Sequence, residues 1–133
     1  MAITHTPTDV GEEFVAALAA QDFERLEGCF APDVDFHAVV PGTGSYRDAA
    51  DAAGTAEQYR TWFGGANSFA LLESSVTHVV DKLRINYRLA KLDDGEWKVA
   101  EQTAYARLGE QGIQKLDLAC AGWQTVPADP RSS

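Results

Sequence analysis

The sequence predicts an α+β domain: helices dominate the first half of the chain and antiparallel strands the second. Three observations carry this. Apolar residues recur at helical spacing in three segments up to residue 63, they alternate after Ser68, and Gly or Pro punctuates the changes of pattern. The 133 residues, 45% of them hydrophobic, suit one domain with a sizeable core. The expected unit is therefore 1–133, with its core over about 9–123 and a flexible tail over 124–133.

The first helix starts near Asp9, where Asp9 and Glu12 have capping-box spacing and Val10, Phe14 and Leu18 share a face. Asp22 caps a second, short helix with Leu26, Cys29 and Phe30 on one side. Ala31-Pro32 ends it, because proline lacks the N–H a helix needs. The alternating, β-branched stretch 34–40 (VDFHAVV) reads as a strand, broken by Pro41, Gly42 and Gly44. Residues 45–53 are alanine-rich and ambiguous. A third helix is expected from Thr55, with Gln58 at capping spacing, Tyr59, Trp62 and Phe63 on one face, and Gly64-Gly65 as its stop. Strands are expected over 69–80, 83–92, 96–108 and 113–123.

Turn chemistry gives the expected register. A three-residue loop with Gly95 left-handed pairs Leu92 with Glu96 and sets Tyr87 opposite Glu101. The alternative, a two-residue Asp94-Gly95 turn, opposes Tyr87 to Gln102 and puts polar and apolar faces out of step, so the first is preferred. A four-residue loop from Gly109 to Gly112 pairs Leu108 with Ile113 and Glu101 with Cys120. An Asp81-Lys82 turn sets Val80 opposite Leu83 and His78 opposite Ile85. One face then carries His78, Leu83, Ile85, Tyr87, Leu89, Trp97, Val99, Glu101, Tyr105, Leu116, Leu118 and Cys120, and the helices must cover it. The other carries Arg84, Asn86, Arg88, Gln102, Lys115 and Asp117.

Charge and composition exclude several classes. Twenty acidic against 11 basic residues, a net charge of −9, argue against a nucleic-acid backbone or an anionic membrane surface as partner. No apolar run reaches the ~18 residues of a membrane span. The first residues have neither the basic start nor the apolar stretch of a secretory signal. Cys29 and Cys120 form no CxxC or Cys/His ligand spacing and read as free thiols, which points to the cytoplasm. No phosphate-binding loop, dinucleotide fingerprint, HExxH or GxSxG occurs, so neither cofactor nor metal is expected, and Gly42-Thr43-Gly44 reads as a turn.

The order of elements, with FVAALAAQDFERLEGCFAPDVDF near the start, then YRTWFGG, then EWKVAEQTAYARL and IQKLDLACAGW, resembles the nuclear transport factor 2-like superfamily. Within it the chain is most similar to small SnoaL-like (polyketide cyclase-like) and ketosteroid isomerase-like proteins. The resemblance implies a curved antiparallel sheet wrapped around three helices into a cone (a cystatin-like roll), a hydrophobic pocket at its open end, and a homodimer formed through the outer face of the sheet. It implies no steroid isomerase by the usual mechanism. Phe14 stands where those enzymes place a donating tyrosine, and Ala38, beside His37, where they carry the proton-shuttling aspartate.

Glu101 is the leading candidate for chemistry. In the preferred register it is a carboxylate on an apolar face, where burial would raise its pKa and suit it to general acid–base work. The alternative is a structural carboxylate satisfied by tyrosine hydroxyls or backbone. His78, on the same face, is either a proton relay or a core histidine bonded to backbone. His37 falls on the opposite side of its strand. Tyr87, Tyr105 and Trp97 from the sheet, with Tyr59, Trp62, Phe63 and Phe14 from the helices, are either pocket lining or plain core. The four-residue loop places Asp117 on the outer face among basic residues, whereas an odd-length loop at 109–111 would reverse this and set it beside Thr103. The expected function is a cofactor-independent proton-transfer enzyme (isomerase, cyclase or dehydratase) with Glu101 and His78 catalytic, acting on a small hydrophobic carbonyl compound. The alternative is a non-catalytic module of the same fold that binds a hydrophobic ligand or a protein.

Overall fold

A computed structural model describes residues 7–41, 46–65 and 68–132. The elements run α1 (Pro7–Ala19), α2 (Phe23–Glu27), β1 (Phe30–Val39), β2 (Tyr46–Ala49), α3 (Ala52–Phe63), β3 (Ser68–Val79), β4 (Lys82–Asp93), β5 (Glu96–Gly109), β6 (Gly112–Cys120), β7 (Gln124–Val126) and a final 3₁₀ turn at Pro130–Ser132. The expected turn at Gly42-Thr43-Gly44 lies outside the described residues.

The helices form where their signals stand. In α1, Phe14, Val15, Ala17 and Leu18 are buried along one stripe. The Asp22 carboxylate accepts the Arg25 N–H at 3.1 Å and starts α2. For α3 the cap is Asp51, whose Oδ1 accepts from Gly54 N at 2.7 Å, so the helix begins three residues before the expected Thr55. Thr55, inside the helix and buried, donates its hydroxyl to the Asp51 carbonyl. β1 begins at Phe30, where the second helix was expected to continue to Ala31.

The strands form one sheet in the order β2-β1-β6-β5-β4-β3, with β7 pairing β5. It is mixed rather than wholly antiparallel, because β6 returns beside β1 in the same direction, Phe36 against Leu116 and Ala38 against Leu118. Irregularities at Leu72 in β3 and Gln114 in β6 interrupt the ladder and bend the strands. Helices α1 and α3 pack on one face, α1 against β3 and β4, α3 against β1 and β2. β2 lies in the stretch left ambiguous by its alanines. Gln124–Val126, expected within a frayed tail, pair with Trp97–Val99 as β7.

The register of β5 overturns the expectation. Asp94 and Gly95 both take positive φ (52° and 78°) and form a two-residue turn that pairs Asp93 with Glu96. Tyr87 therefore faces Gln102, and the inward residues of β5 are Ala100, Gln102, Ala104 and Ala106, all buried. The reason is volume. Leu83, Ile85, Tyr87 and Leu89 of β4 and the rings of α1 and α3 leave room for methyl groups on β5, and a face of Val99, Tyr105 and Trp97 would overpack. In the β5–β6 hairpin Leu108 does pair with Ile113, but the bulge at Gln114 absorbs one residue, and Gln102 rather than Glu101 faces Cys120. The β3–β4 turn is Val80-Asp81, one residue earlier than expected. Val80 is 90% exposed at its tip, and His78 pairs with Leu83 instead of Ile85.

Candidate functional site

The new register brings together a set that the sequence reading divided between two faces. Gln102 on β5 and Cys120 on β6 are cross-strand partners, so their side chains leave the sheet on the same, helix-covered side. Tyr87 lies on the other flank of Gln102, and its hydroxyl donates to Gln102 Oε1 at 2.5 Å. The Tyr59 hydroxyl is 3.5 Å from that of Tyr87. Burial, ahead of any neighbour, pushes both phenols above their ordinary pKa and keeps them neutral donors. With its oxygen engaged, Gln102 retains an amide nitrogen. Nε2 is buried without a partner, alone in this among the described side-chain polar atoms.

Gln102 belongs to the wall of a cleft of about 370 Å³ at the end of the sheet where β1 and β6 finish. Val40 and Pro41 form one side, Trp62 and Phe63 from the last turn of α3 another, and Cys120 to Trp123 the third. The lining is aromatic and aliphatic apart from the Gln102 amide and the Cys120 thiol, and the volume lies at the small end of the range for small-molecule sites. Trp123 packs edge-on to Phe63 at 5.6 Å, and the Lys91 ammonium lies 4.2 Å from the Trp123 ring centre. Burial lowers the Lys91 pKa, with Asp93 opposing the shift and Lys98 adding to it. A larger depression of about 610 Å³ lies outside the cone, between α1 and Gly112. Its Glu13 and Arg25 already form a two-point ion pair, which leaves little to address a ligand.

The residues named from sequence divide sharply. Trp62 and Phe63 line the cleft, whereas Tyr59, Tyr87 and Phe14 do not: they are core, all three fully buried, with the two tyrosine rings 5.6 and 5.9 Å from that of Phe14. Tyr105 and Trp97 are on the other face: Tyr105 is 43% exposed opposite Asp117, and Trp97 carries the Arg131 guanidinium 5.2 Å from its ring. Glu101 is not in the core. The two-residue turn rotates it outward, where its carboxylate is 3.8 Å from Arg88 and also meets the Asn86 amide. His78 keeps the helix side but is exposed at the far end of the sheet. Its partner Leu83 is four residues along β4 from Tyr87, about 13 Å. Gln102 and Cys120 were missed as site residues. Asp94-Gly95, the strongest two-residue hairpin signal in the chain, was the cue to Gln102.

On the outer face His37 forms a separate cluster. Its Nδ1 is 2.9 Å from Asp48 and its Nε2 is 2.8 Å from Asp35, with Asp117 beside it across the ladder. The Asp48 hydrogen bond raises its pKa most, burial opposes it, and the charges of Asp35, Asp48 and Asp117 add to the rise. Among the described residues, no group of three or more His, Cys, Asp or Glu is placed to hold a metal ion, and no helix is long and apolar enough to cross a membrane.

No protein-family model matches the chain, and no curated protein matches it significantly in sequence. Solved structures share its architecture. A protein of unknown function with a cystatin-like fold from Xanthomonas campestris aligns with a TM-score of 0.70 at 17% identity, over 89% of this chain and 92% of that one. Wild-type IdmH from Streptomyces antibioticus, a candidate polyketide cyclase, aligns at 0.68 with 14% identity, over 87% and 92%. A hypothetical protein with a ketosteroid isomerase-like fold from Catenulispora acidiphila, in complex with trimethylamine, aligns at 0.67 with 12% identity, over 86% and 85%. At such identities the likeness establishes the fold alone, the one described for these neighbours as cystatin-like or ketosteroid isomerase-like.

Proposed function

We propose that this chain binds a small, largely apolar molecule in the cleft at the mouth of the cone, with a carbonyl or similar acceptor on the ligand taking an N–H of Gln102 Nε2. The observation that carries this is the unpartnered, buried Nε2 in the wall of an apolar cleft. A buried donor left unpaired costs about 1–3 kcal/mol, and a ligand acceptor recovers that cost on binding. Binding is favoured over proton transfer because a base must stand beside the bound carbonyl. Glu101 and His78, the two groups expected to act so, do not line the cleft.

The test is a ligand pair of equal shape, cyclohexanone and methylenecyclohexane, titrated into ¹⁵N-labelled protein. The ketone should bind about tenfold more tightly and shift the Gln102 side-chain NH₂ resonances, and Gln102→Leu should erase the preference. Equal binding of the two, or an unmoved Gln102 amide, would show that the donor is not used.

The outer face supports a homodimer. Val39 and Tyr105 are large exposed apolar residues there, and an acidic end (Asp35, Asp48, Asp117) lies across the sheet from basic Arg84 and Arg88. Two-fold pairing would set unlike charges together. Tyr105→Glu should convert a dimer to a monomer in sedimentation, whereas a wild-type monomer at high concentration removes the idea.

A further inference from the structure

We propose that the cleft is a conjugate-addition site, in which the Cys120 thiol adds to the β-carbon of an α,β-unsaturated ketone or aldehyde whose carbonyl oxygen accepts from Gln102 Nε2. The inference deepens the binding reading above and rests on it. Two independent observations meet here: a thiol in the wall of the cleft, and a fully buried amide donor without a partner in the same wall. As cross-strand partners, Gln102 and Cys120 have Cβ atoms about 5 Å apart. A single enone can span donor and thiol, because its electrophilic carbon is three bonds from its oxygen.

The two cysteines differ in the way this chemistry needs. Cys29 is buried, its Sγ donates to the Arg25 carbonyl, and burial pushes its pKa up to about 11, so it stays a protonated, inert thiol. Cys120 is partly exposed in the cleft, and the Gly122 backbone N–H points at its sulfur from 3.4 Å, a ready partner for developing negative charge. Gly122 holds that position at φ +84°, against Pro41. Trp62, Phe63 and Trp123 supply the apolar surface for the carbon skeleton.

The step balances without oxidant or reductant. The thiol gives its proton to water, the sulfur pair forms the S–C bond at the β-carbon, and the C=C π pair moves to give an enolate. The Gln102 N–H stabilises the enolate oxygen as charge develops on it. Water then protonates the α-carbon, so the sum is addition of S–H across C=C.

The experiment exposes the whole protein to 2-cyclohexen-1-one and follows intact mass and peptide mapping over time, with N-acetylcysteine as the solution thiol. One adduct should form, at Cys120, about tenfold or more faster than on N-acetylcysteine. Cys120→Ser should abolish it and Cys29→Ser leave it unchanged. Gln102→Leu should slow it about tenfold while circular dichroism confirms the fold. Adduct formation at the N-acetylcysteine rate, or indifference to Gln102→Leu, overturns the inference. Binding of cyclohexanone without any enone adduct refutes the covalent step and leaves the binding reading standing. If neither ketone nor enone engages the cleft, both fall.

Discussion

Replacing Tyr87 by Phe probes the buried polar node directly. Tyr87 is fully buried and Gln102 is 1% exposed, so water cannot compensate either group. In the native protein their hydrogen bond contributes about 1 kcal/mol net, while the free Nε2 costs about 1–3 kcal/mol. Tyr87→Phe strips the amide of its one partner and leaves both its ends unpaired, for a loss of about 2 kcal/mol. Gln102→Leu removes the costly nitrogen together with the good bond. The Tyr87 hydroxyl keeps only Tyr59 at 3.5 Å, and the net change stays within about 1 kcal/mol. The double variant contains neither polar group, gives up only the long contact of the buried Tyr59 hydroxyl, and should lie within about 1 kcal/mol of wild type, a coupling of about 2 kcal/mol. Urea denaturation followed by tryptophan fluorescence measures all four proteins. On heating, Tyr87→Phe should fall by roughly 6–10 °C and the double variant recover most of that loss. Additive losses, with the double variant least stable of the four, would refute the reasoning.

Three further perturbations test other parts of the structure. Glu101→Gln should change stability by less than about 0.5 kcal/mol and leave ketone affinity unaltered, since it touches an exposed ion pair with Arg88 and a long contact to the Asn86 amide, both outside the cleft; loss of binding would return Glu101 to the site. Gly112 sits at φ +117°, where an added Cβ would stand 2.6 Å from the Cys29 carbonyl oxygen. Gly112→Ala should therefore cost about 3 kcal/mol in urea denaturation, and a cost below 1 kcal/mol would contradict the close approach. His37 has its folded pKa raised above the ordinary 6.5, so its stabilisation is complete below that value and fades as pH climbs through the raised pKa. Its imidazole NMR titration midpoint should lie above 6.5 and drop in Asp48→Asn; a midpoint indifferent to that substitution would remove Asp48 as the cause.

Much of this architecture can be read from the chain, and the exception that matters for the site lies on β5. The stripe Phe14, Val15, Leu18 and the stop at Gly64-Gly65 mark helices whose burial follows from periodicity. The faces of β4 and β6 were legible too, because Leu83, Ile85, Tyr87 and Leu89, then Leu116 and Leu118, alternate cleanly with polar residues. On β5 hydropathy points the wrong way. Its larger apolar residues, Val99 and Tyr105, face outward, and the alanines beside Gln102 face the rings. Hydropathy weighs each residue by itself, whereas the interior selects for fit against neighbours already in place. That single inversion moved Glu101 into the core on paper and hid Gln102, so the site was legible in Trp62 and Phe63 but not in its polar group. β2 was hidden for a simpler reason: four residues including an alanine give too short a pattern to read.

Between Cys120 and Gln124 the chain leaves the ladder and then rejoins it, with Ala121 N still donating to the Glu101 carbonyl as it departs. The three residues in this gap, Ala121, Gly122 and Trp123, are all cleft wall. A wall hung between two paired segments behaves as a replaceable panel, because β5 fixes both of its ends while its contents are free of register. Changes of size there would re-dimension the opening without moving a strand, provided the residue against Pro41 stays small. The scaffold thus separates what must persist from what can vary, and places the variable part at the doorway.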